Sequence, residues 1–398
     1  MNNGTSRQQF EGKLARIAPI VRGLLAEETG QQDIPYKPVI LKSLTAEEAI
    51  DFASSAKNAE AKEDPAPLSK SQKPPLFLDT MEYDTEPEKF RKQLIDWISD
   101  YSLRYKSKPE IVCLRELGIL YVSREDDASD LPLKNKVALV TGAAGAIGYG
   151  ICCGLLEKGC HLVATDLPGK KLDDFTADLK QTAEDRVISV PIDVTDKESI
   201  VRGFESVILT WGGIDIVVVN AGIPLVSFLK DIDLDDFRKL ENVNVEGTFL
   251  TLREIARHFI LQGTGGDVII VSTKNVPSPG AGFGAYSATK AAAHQLGRIA
   301  SLELAQYGVR VNMVAPDGVF SEGKYKSGLW ALVGPDRMRA RGLDEDGLQE
   351  YYRNRNLLKA KVTGRHVANA VLFFATRQTP TTGITIPVDG GLPDATPR

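Results

Sequence analysis

Seven short, almost uninterrupted apolar runs between residues 137 and 388 constrain this chain more than any other feature. They read VALV (137–140), HLVA (161–164), VISV (187–190), DIVVV (215–219), DVIIV (267–271), VRVNMV (309–314) and ITIPV (384–388), with helical stretches between them. A strand wetted on one face alternates apolar and polar residues. Runs without alternation belong to strands covered on both faces, as in a parallel sheet between two helical layers. The pattern predicts one α/β domain over residues 131–398, with a doubly wound seven-stranded parallel sheet.

Residues 1–130 have a different character and predict a smaller N-terminal α/β extension. Phe10 to Glu27 places Leu14, Ile17, Ile20, Val21, Leu24 and Leu25 at helical spacing. Ala53 to Pro75, rich in Ala, Ser, Lys, Glu and Pro, reads as a linker. A second helix is expected from Glu86 to Tyr105, with Phe90, Leu94, Ile98 and Tyr101 on one stripe. Apolar runs at Ile111–Leu114 and Ile119–Val122 follow, and the polar stretch SREDDASD leads into the larger domain.

Composition excludes several classes of function. A net charge of -5 argues against nucleic acid as the main partner, because phosphate binding needs a basic surface. No apolar run is long enough to span a bilayer, and the first residues lack the apolar core of a signal peptide. Cys113, Cys152, Cys153 and Cys160 form no CxxC pair, which suits free thiols and a cytoplasmic setting. The four histidines, His161, His258, His294 and His366, show no zinc-like spacing, so no metal site is expected.

The first strand of the larger domain runs directly into Thr141-Gly142-Ala143-Ala144-Gly145-Ala146-Ile147-Gly148, after which a helix begins. Gly142 permits a tight turn, Gly145 clears the backbone for a pyrophosphate, and Gly148 lets the helix pack close. The unpaired N–H groups of the helix start, together with its dipole, then favour phosphate. That arrangement makes the sheet Rossmann-type. Asp166 closes the second strand, eighteen residues after Gly148. A carboxylate there can accept from an adenosine ribose diol and would repel a 2′-phosphate, which favours NAD over NADP. Lys170 and Lys171 stand nearby and soften that preference. Asp193-Val194 after the third strand could meet the adenine edge, and Asn220-Ala221-Gly222 after the fourth could bring backbone beside the cofactor. Each of these also suits an ordinary turn.

Tyr286 and Lys290 lie four apart in the helical segment AYSATKAAAHQLGRIASLEL and so share a face. A tyrosine near pKa 10 is a poor base at neutral pH. A neighbouring ammonium, with the positive charge of a nicotinamide ring, should bring the phenol into working range.

These motifs, in this order, resemble the short-chain dehydrogenase/reductase family from about Leu131 to Gly391. The resemblance rests on the glycine turn at Thr141–Gly148, NAG at Asn220–Gly222, Asn244 within NVNVEGTF, and YxxxK at Tyr286–Lys290. It implies that Tyr286 exchanges a proton with substrate, that Lys290 lowers its pKa and holds the nicotinamide ribose, and that Asn244 supports a proton relay. It further implies a hydroxyl residue that orients the substrate oxygen. That role falls on Thr273, thirteen residues before Tyr286, with Ser272 as the alternative. The loop from Pro316 through Asp317 to Val319 is implied to border the nicotinamide, and Asp317 either shapes a turn or contacts substrate. Residues 321–361 form a long insertion carrying Trp330, Arg337, Arg339, Arg341, Tyr351, Tyr352, Arg353 and Arg355. In this fold such an insertion covers the substrate, and arginines with tyrosines suit a polar, oxygen-rich one. A solvated helical subunit contact is the other reading.

The phrases KNVPSPGAGFGAYSATKAAAH, VNMVAPDGVF and YYRNRNLL, with the terminal VDGG, look like the dehydrogenase half of bifunctional rhamnulose-1-phosphate aldolase/alcohol dehydrogenase proteins. RIAPIVRGLLA and KPEIVCLRELGILYVS resemble the end of the aldolase half. That half uses metal-binding histidines, and residues 1–130 contain none, so a remnant kept for packing or assembly is implied. The expected function is an NAD-dependent dehydrogenase of a sugar-derived or polyol substrate, forming a homodimer or homotetramer. A catalytically silent NAD(H) sensor or partner-binding protein is the alternative.

Overall fold

The computed structural model describes residues 3–55, 73–80, 83, 86–123, 130–321, 324, 325, 327 and 329–393. The expected linker falls largely on 56–72, and most of SREDDASD on 124–129, both outside the described residues. The chain divides into two compact units. One comprises Met1–Ser129 with Phe204–Ile214 and Ile260–Thr264, and the other comprises Asp130–Gly203, Asp215–Phe259 and Gly265–Arg398.

In the first unit, α1 (Asn3–Leu25) starts earlier than its apolar stripe suggested. Leu14, Ile17, Val21 and Leu25 of α1 are buried. A two-residue ladder, β1 (Glu27–Glu28) with β2 (Tyr36–Lys37), precedes β3 (Ile40–Leu44) and α2 (Glu47–Ser54). Strands β4 (Leu76–Leu78), β5 (Ile111–Leu114) and β6 (Gly118–Ser123) complete a sheet ordered β3-β6-β5-β4. Helix α3 (Pro87–Tyr105) begins on a proline, whose missing N–H costs nothing at that position, and ends on the left-handed Lys106. Its stripe of Phe90, Leu94, Ile98 and Tyr101 is buried, as the 3.6-residue period requires.

The second unit contains the seven strands β7 (Val137–Val140), β8 (His161–Ala164), β9 (Val187–Ser189), β10 (Ile216–Val219), β11 (Gly266–Val271), β12 (Val309–Pro316) and β13 (Thr385–Val388). All are parallel and lie in the order β13-β12-β11-β10-β7-β8-β9. This is the Rossmann-type sheet that the apolar runs predicted. Every residue of β7, β8 and β10 is buried, which explains why those runs carry no polar alternation. The helices from here on are α4 (Ala146–Glu157), α5 (Lys170–Ala183), α6 (Lys197–Trp211), α7 (Leu234–Leu240), α8 (Gly247–Gln262), α9 (Gly284–Leu304), α10 (Gly334–Arg341), α11 (Glu345–Arg355) and α12 (Gly364–Ala375), with α6 from Phe204 and α8 from Ile260 counted in the first unit. One core joins Ala138, Val140, Ile151, Leu155, Leu162, Phe175, Val218, Val367 and Val371, packing α4, α5 and α12 on one face of the sheet.

The strand order reverses between β7 and β10: the chain first builds outward through β8 and β9, then returns to the other side of β7. Such a switch point leaves a crevice at the carboxyl ends of the strands, where no connection crosses. Residues 321–361 leave and rejoin the fold at one point. Phe320 N donates to Val362 O at 2.8 Å, and Phe320 bridges to Thr363. Phe320 at the base of this excursion and Leu348 and Tyr352 within it are buried, with Trp330, Met338, Leu343 and Tyr351 packed against them.

Candidate active site

A cavity of about 1150 Å³ opens at that crevice, within the second unit. Its walls are the loops that follow successive strands: Gly142 to Gly148 after β7, Asp166 after β8, Asp193 and Val194 after β9, and Asn220 to Gly222 after β10. Ser272 and Thr273 follow β11, and Pro316 ends β12, with Asp317 to Val319 after it.

The glycine turn is built for close approach. Gly142 has φ +59, and a Cβ there would sit 2.8 Å from Ala221 Cα. A Cβ on Gly148 would lie 2.2 Å from Ala143 O, whereas a Cβ on Gly145 would meet nothing within 4 Å. Gly145 is the N-cap of α4, with no capping side chain and no acidic residue in the first turn. The helix therefore begins with its donors uncommitted to side chains, beside open space. Residues so arranged fit a dinucleotide pyrophosphate.

The NAG segment is tied to this turn. Asn220 Nδ2 donates to Thr141 O at 3.0 Å and Gly142 O at 2.8 Å. Thr141 Oγ1 accepts from the Asn220 and Ala221 backbone N–H groups at 3.0 and 3.1 Å. Two motifs almost eighty residues apart thus brace each other across the switch point. Asp166 accepts from Ala144 N at 3.1 Å and Leu167 N at 2.9 Å, with Lys171 Nζ 3.5 Å away. Its carboxylate is therefore held against the turn with a cation close by. Asp193 Oδ1 is occupied by Thr195 N and Oγ1, at 2.9 and 2.7 Å, so that carboxylate also shapes its own loop.

Tyr286 and Lys290 come from α9 and both line the cavity. Lys290 Nζ donates to Val271 O at 2.8 Å. The Thr273 hydroxyl lies beside the Tyr286 phenol and favours its ionised form. Ser272 also lines the cavity, but its hydroxyl pairs with His294 Nδ1 at 2.9 Å. Burial pushes the Tyr286 phenol up to about 12, against the opposing pull of the Thr273 hydroxyl, and lowers Lys290 to about 8. In the protein alone, lost hydration of the phenolate sets this direction, and the expected depression belongs to the complex with a positively charged nicotinamide ring.

Asn244 does not line the cavity. It is buried in a π-helical turn, Glu241–Glu246, between α7 and α8. Its Oδ1 accepts from Ile223 N at 2.9 Å, and its Nδ2 donates to Ile223 O at 3.0 Å and Thr289 Oγ1 at 3.1 Å. Its side chain is a clamp joining the loop after β10 to α9, and a π-turn of this kind marks a site where regular helix gave way.

Asp317 lines the cavity and forms an ion pair with Arg355. Trp330 is a correction: it does not line the cavity. Its indole N–H donates to Val319 O at 2.8 Å, and its ring packs on Phe320 and Tyr352. Arg337, Arg341, Tyr351, Tyr352 and Arg355 of the insertion do line it, but Arg339 and Arg353 do not. Residues not singled out from sequence also line it, among them Lys274, Asn275, Phe283 and Tyr325. His294 had a readable signal, since it stands one turn beyond Lys290 on the same helix face.

The short chain dehydrogenase family profile matches residues 136–329. A 261-residue stretch is 31% identical to glucose 1-dehydrogenase of Gluconobacter oxydans, covering 65% of this chain and 91% of that one. The chain belongs to the short-chain dehydrogenase family. Sorbitol-6-phosphate 2-dehydrogenase of Escherichia coli, another similar member, is 28% identical over 65% of this chain and 98% of its own length. The oxidoreductase YuxG of Bacillus subtilis is 35% identical over 66% of this chain, and that match takes in only 38% of YuxG. Among solved structures, a short-chain type dehydrogenase/reductase from Mycobacterium marinum superposes with a TM-score of 0.58 at 26% identity. That match covers 66% of this chain and 98% of the other. No described helix is long and apolar enough to cross a membrane.

Proposed function

We propose that this short-chain dehydrogenase uses NAD(H) to interconvert a secondary alcohol with a ketone, or a hydroxyaldehyde, on a sugar-derived or polyol substrate. The observation that carries this reading is the meeting of Tyr286, Thr273 and Lys290 in one cavity with the bare helix start at Gly145 and the Asp166 carboxylate. The names of two similar proteins, a sorbitol-6-phosphate dehydrogenase and a glucose dehydrogenase, support the substrate class.

The residues that would hold the dinucleotide are Gly142, Gly145, Ala146, Ile147 and Gly148 at the pyrophosphate. Asp166 would hold the adenosine ribose, Asp193 and Val194 would flank the adenine, and Asn220 to Gly222, Lys290, Pro316 and Val319 would flank the nicotinamide half. A bound nicotinamide supplies the acceptor or donor of hydride. In oxidation, Tyr286 takes the hydroxyl proton of the alcohol at Oη while the carbinol carbon loses hydride; in reduction it returns that proton to the carbonyl oxygen. Thr273, whose hydroxyl lies beside the phenol, holds the same substrate oxygen. The Lys290 ammonium favours the phenolate as charge develops on Tyr286. Asn244 positions the loop after β10 through Ile223 and α9 through Thr289.

Asp166 favours NAD, because its carboxylate accepts hydrogen bonds from a ribose diol and repels a phosphate. The phrases that look like those of bifunctional aldolase/dehydrogenase proteins point the same way, to a carbohydrate-type substrate. They also support a packing or assembly role for residues 1–130 in a homodimer or homotetramer. The test is reduction of NAD and of NADP by the purified protein with a panel of sugars, sugar phosphates and cyclic polyols. The reading stands if a polyol reduces NAD and Tyr286→Phe abolishes the reaction. It fails if no compound in the panel is oxidised, or if Tyr286→Phe keeps the rate.

A further inference from the structure

The insertion after β12 brings three arginines to the cavity wall, and among the described residues only one of them, Arg355, has a carboxylate partner. Arg355 is paired with Asp317 and lies over the Tyr352 ring, its guanidinium 4.6 Å from the ring centroid. Arg337 and Arg341, one turn apart on α10, are held differently. Arg337 stacks on Phe283 at 4.6 Å, and Arg341 stacks on Tyr351 at 4.2 Å. Neither forms an ion pair with any described residue, and Arg337 Nε is buried without a hydrogen-bond partner among them. A ring face orients a guanidinium but accepts none of its five N–H bonds, so these two forks are positioned and left with donors to spare.

Their place in the cavity is set by a chain of contacts. The Phe283 ring that carries Arg337 is itself 6.0 Å from the Tyr286 ring. Arg337 therefore stands one aromatic ring away from the phenol that faces the reacting oxygen. Lys239 and Lys274 add two more cations to the lining. Of the cavity's other carboxylates, Asp166, Asp174 and Asp193 follow β8 and β9, across the switch point from Tyr286, and Asp178 is taken up by Lys324 and Tyr325 of the insertion. Among the described lining residues, the Tyr286 side thus carries net positive charge with Asp317 alone to oppose it.

We propose that Arg337 and Arg341 bind a terminal anionic group, a phosphomonoester or a carboxylate, on the substrate whose hydroxyl meets Tyr286 and Thr273. This deepens the dehydrogenase reading and rests on it: the substrate is an anionic polyol or sugar derivative, not a neutral one. Arg355, neutralised by Asp317, keeps the two tyrosines in place beneath them. The planar fork of each guanidinium suits the paired oxygens of either anion.

The test is calorimetric titration of the full chain, loaded with NADH, with sorbitol 6-phosphate, gluconate and sorbitol. Wild type should bind one of the anionic compounds at least about 30-fold more tightly than sorbitol, as charge-assisted hydrogen bonds allow. Whichever of the two is preferred identifies the anion as phosphate or carboxylate. Arg337→Ala and Arg341→Ala should each collapse that ratio, and Arg337→Lys should restore part of it with the ring contact kept. Circular dichroism melts show whether each variant is folded, and the lysine variant carries the test if the alanine variants are not. Equal binding of all three compounds by wild type overturns the proposal, as does a loss that falls on NADH in place of the polyol anion. Oxidation of neutral polyols without preference for anionic ones would defeat this inference and leave the dehydrogenase reading intact. Arginine-dependent binding without any turnover would do the reverse.

Discussion

Ser272 commits its hydroxyl to His294 Nδ1, 2.9 Å away, while the hydroxyl of the next residue, Thr273, lies beside the phenol of Tyr286. The two neighbours follow the same strand, and sequence order left either able to hold the substrate oxygen. Alternation along an extended chain sends adjacent side chains to opposite sides, so only one of them can share the phenol's position.

Thr273→Ala should lower kcat/KM by roughly 10²-fold or more, the scale of losing one oriented donor at a reacting oxygen. Thr273→Ser should keep most of the activity. Ser272→Ala should lose less than about tenfold, because it removes a hydrogen bond one shell away from the chemistry. Steady-state kinetics with the best polyol decides this, and the reverse ranking would move the role to Ser272.

Lys290→Met should remove activity and yet stabilise the fold at neutral pH. Burial lowers the Lys290 ammonium to about 8. Below that pH it is charged in the folded and unfolded chain alike, and its lost hydration opposes folding in full. Between about 8 and the ordinary lysine value near 10.4 the folded protein releases the proton first, so wild-type stability should rise with pH there. The shift corresponds to about 3 kcal/mol, from which about 1 kcal/mol is lost by leaving Val271 O without its donor. Urea unfolding at pH 7 and pH 10 should show the variant ahead by roughly 2 kcal/mol at the lower pH, with the gap narrowing at the higher.

Gly145 and Gly148 should respond in opposite ways to alanine. A Cβ at Gly148 would lie 2.2 Å from a backbone oxygen, so Gly148→Ala should unfold the turn or displace α4. At Gly145 a Cβ meets no protein atom within 4 Å, so Gly145→Ala should fold with near-normal stability. Its methyl would occupy the space where a pyrophosphate approaches, and NADH affinity should drop on the order of tenfold or more. Thermal melts and NADH fluorescence titration separate the two effects.

Asp166→Ala should shift the cofactor preference toward NADP. It removes the carboxylate and releases both the Ala144 N–H and the Lys171 ammonium that Asp166 now engages. A 2′-phosphate could then use both donors. The ratio of kcat/KM for NADP over NAD is expected to rise by about 10²-fold, from loss of repulsion together with gain of a charge-assisted contact. An unchanged ratio would show that Asp166 serves only the turn.

Much of this architecture was legible before any coordinates. The seven apolar runs became the seven parallel strands, with ends that moved by no more than two residues. The glycine turn and the Tyr286–Lys290 pair were equally readable, because each is a local pattern whose geometry follows from a few adjacent residues. Illegible features depended on partners distant in sequence. Trp330 looked like a substrate-facing aromatic, but it serves the packing of the insertion, while Arg337 and Arg341 from the same segment reach the cavity.

The sequence by itself determined which elements form, their parallel arrangement and the site's chemical alphabet, since period, turn residues and helical spacing act over neighbouring positions. Only the tertiary structure decided how that alphabet is used. It turned Thr273 toward the phenol and Ser272 toward His294, and it made Asn244 a clamp between two loops. It raised the Tyr286 pKa where the neighbouring lysine alone argued for lowering it. Burial, ion pairing and the facing of side chains are properties of elements brought together from across the chain, and no local pattern encodes them.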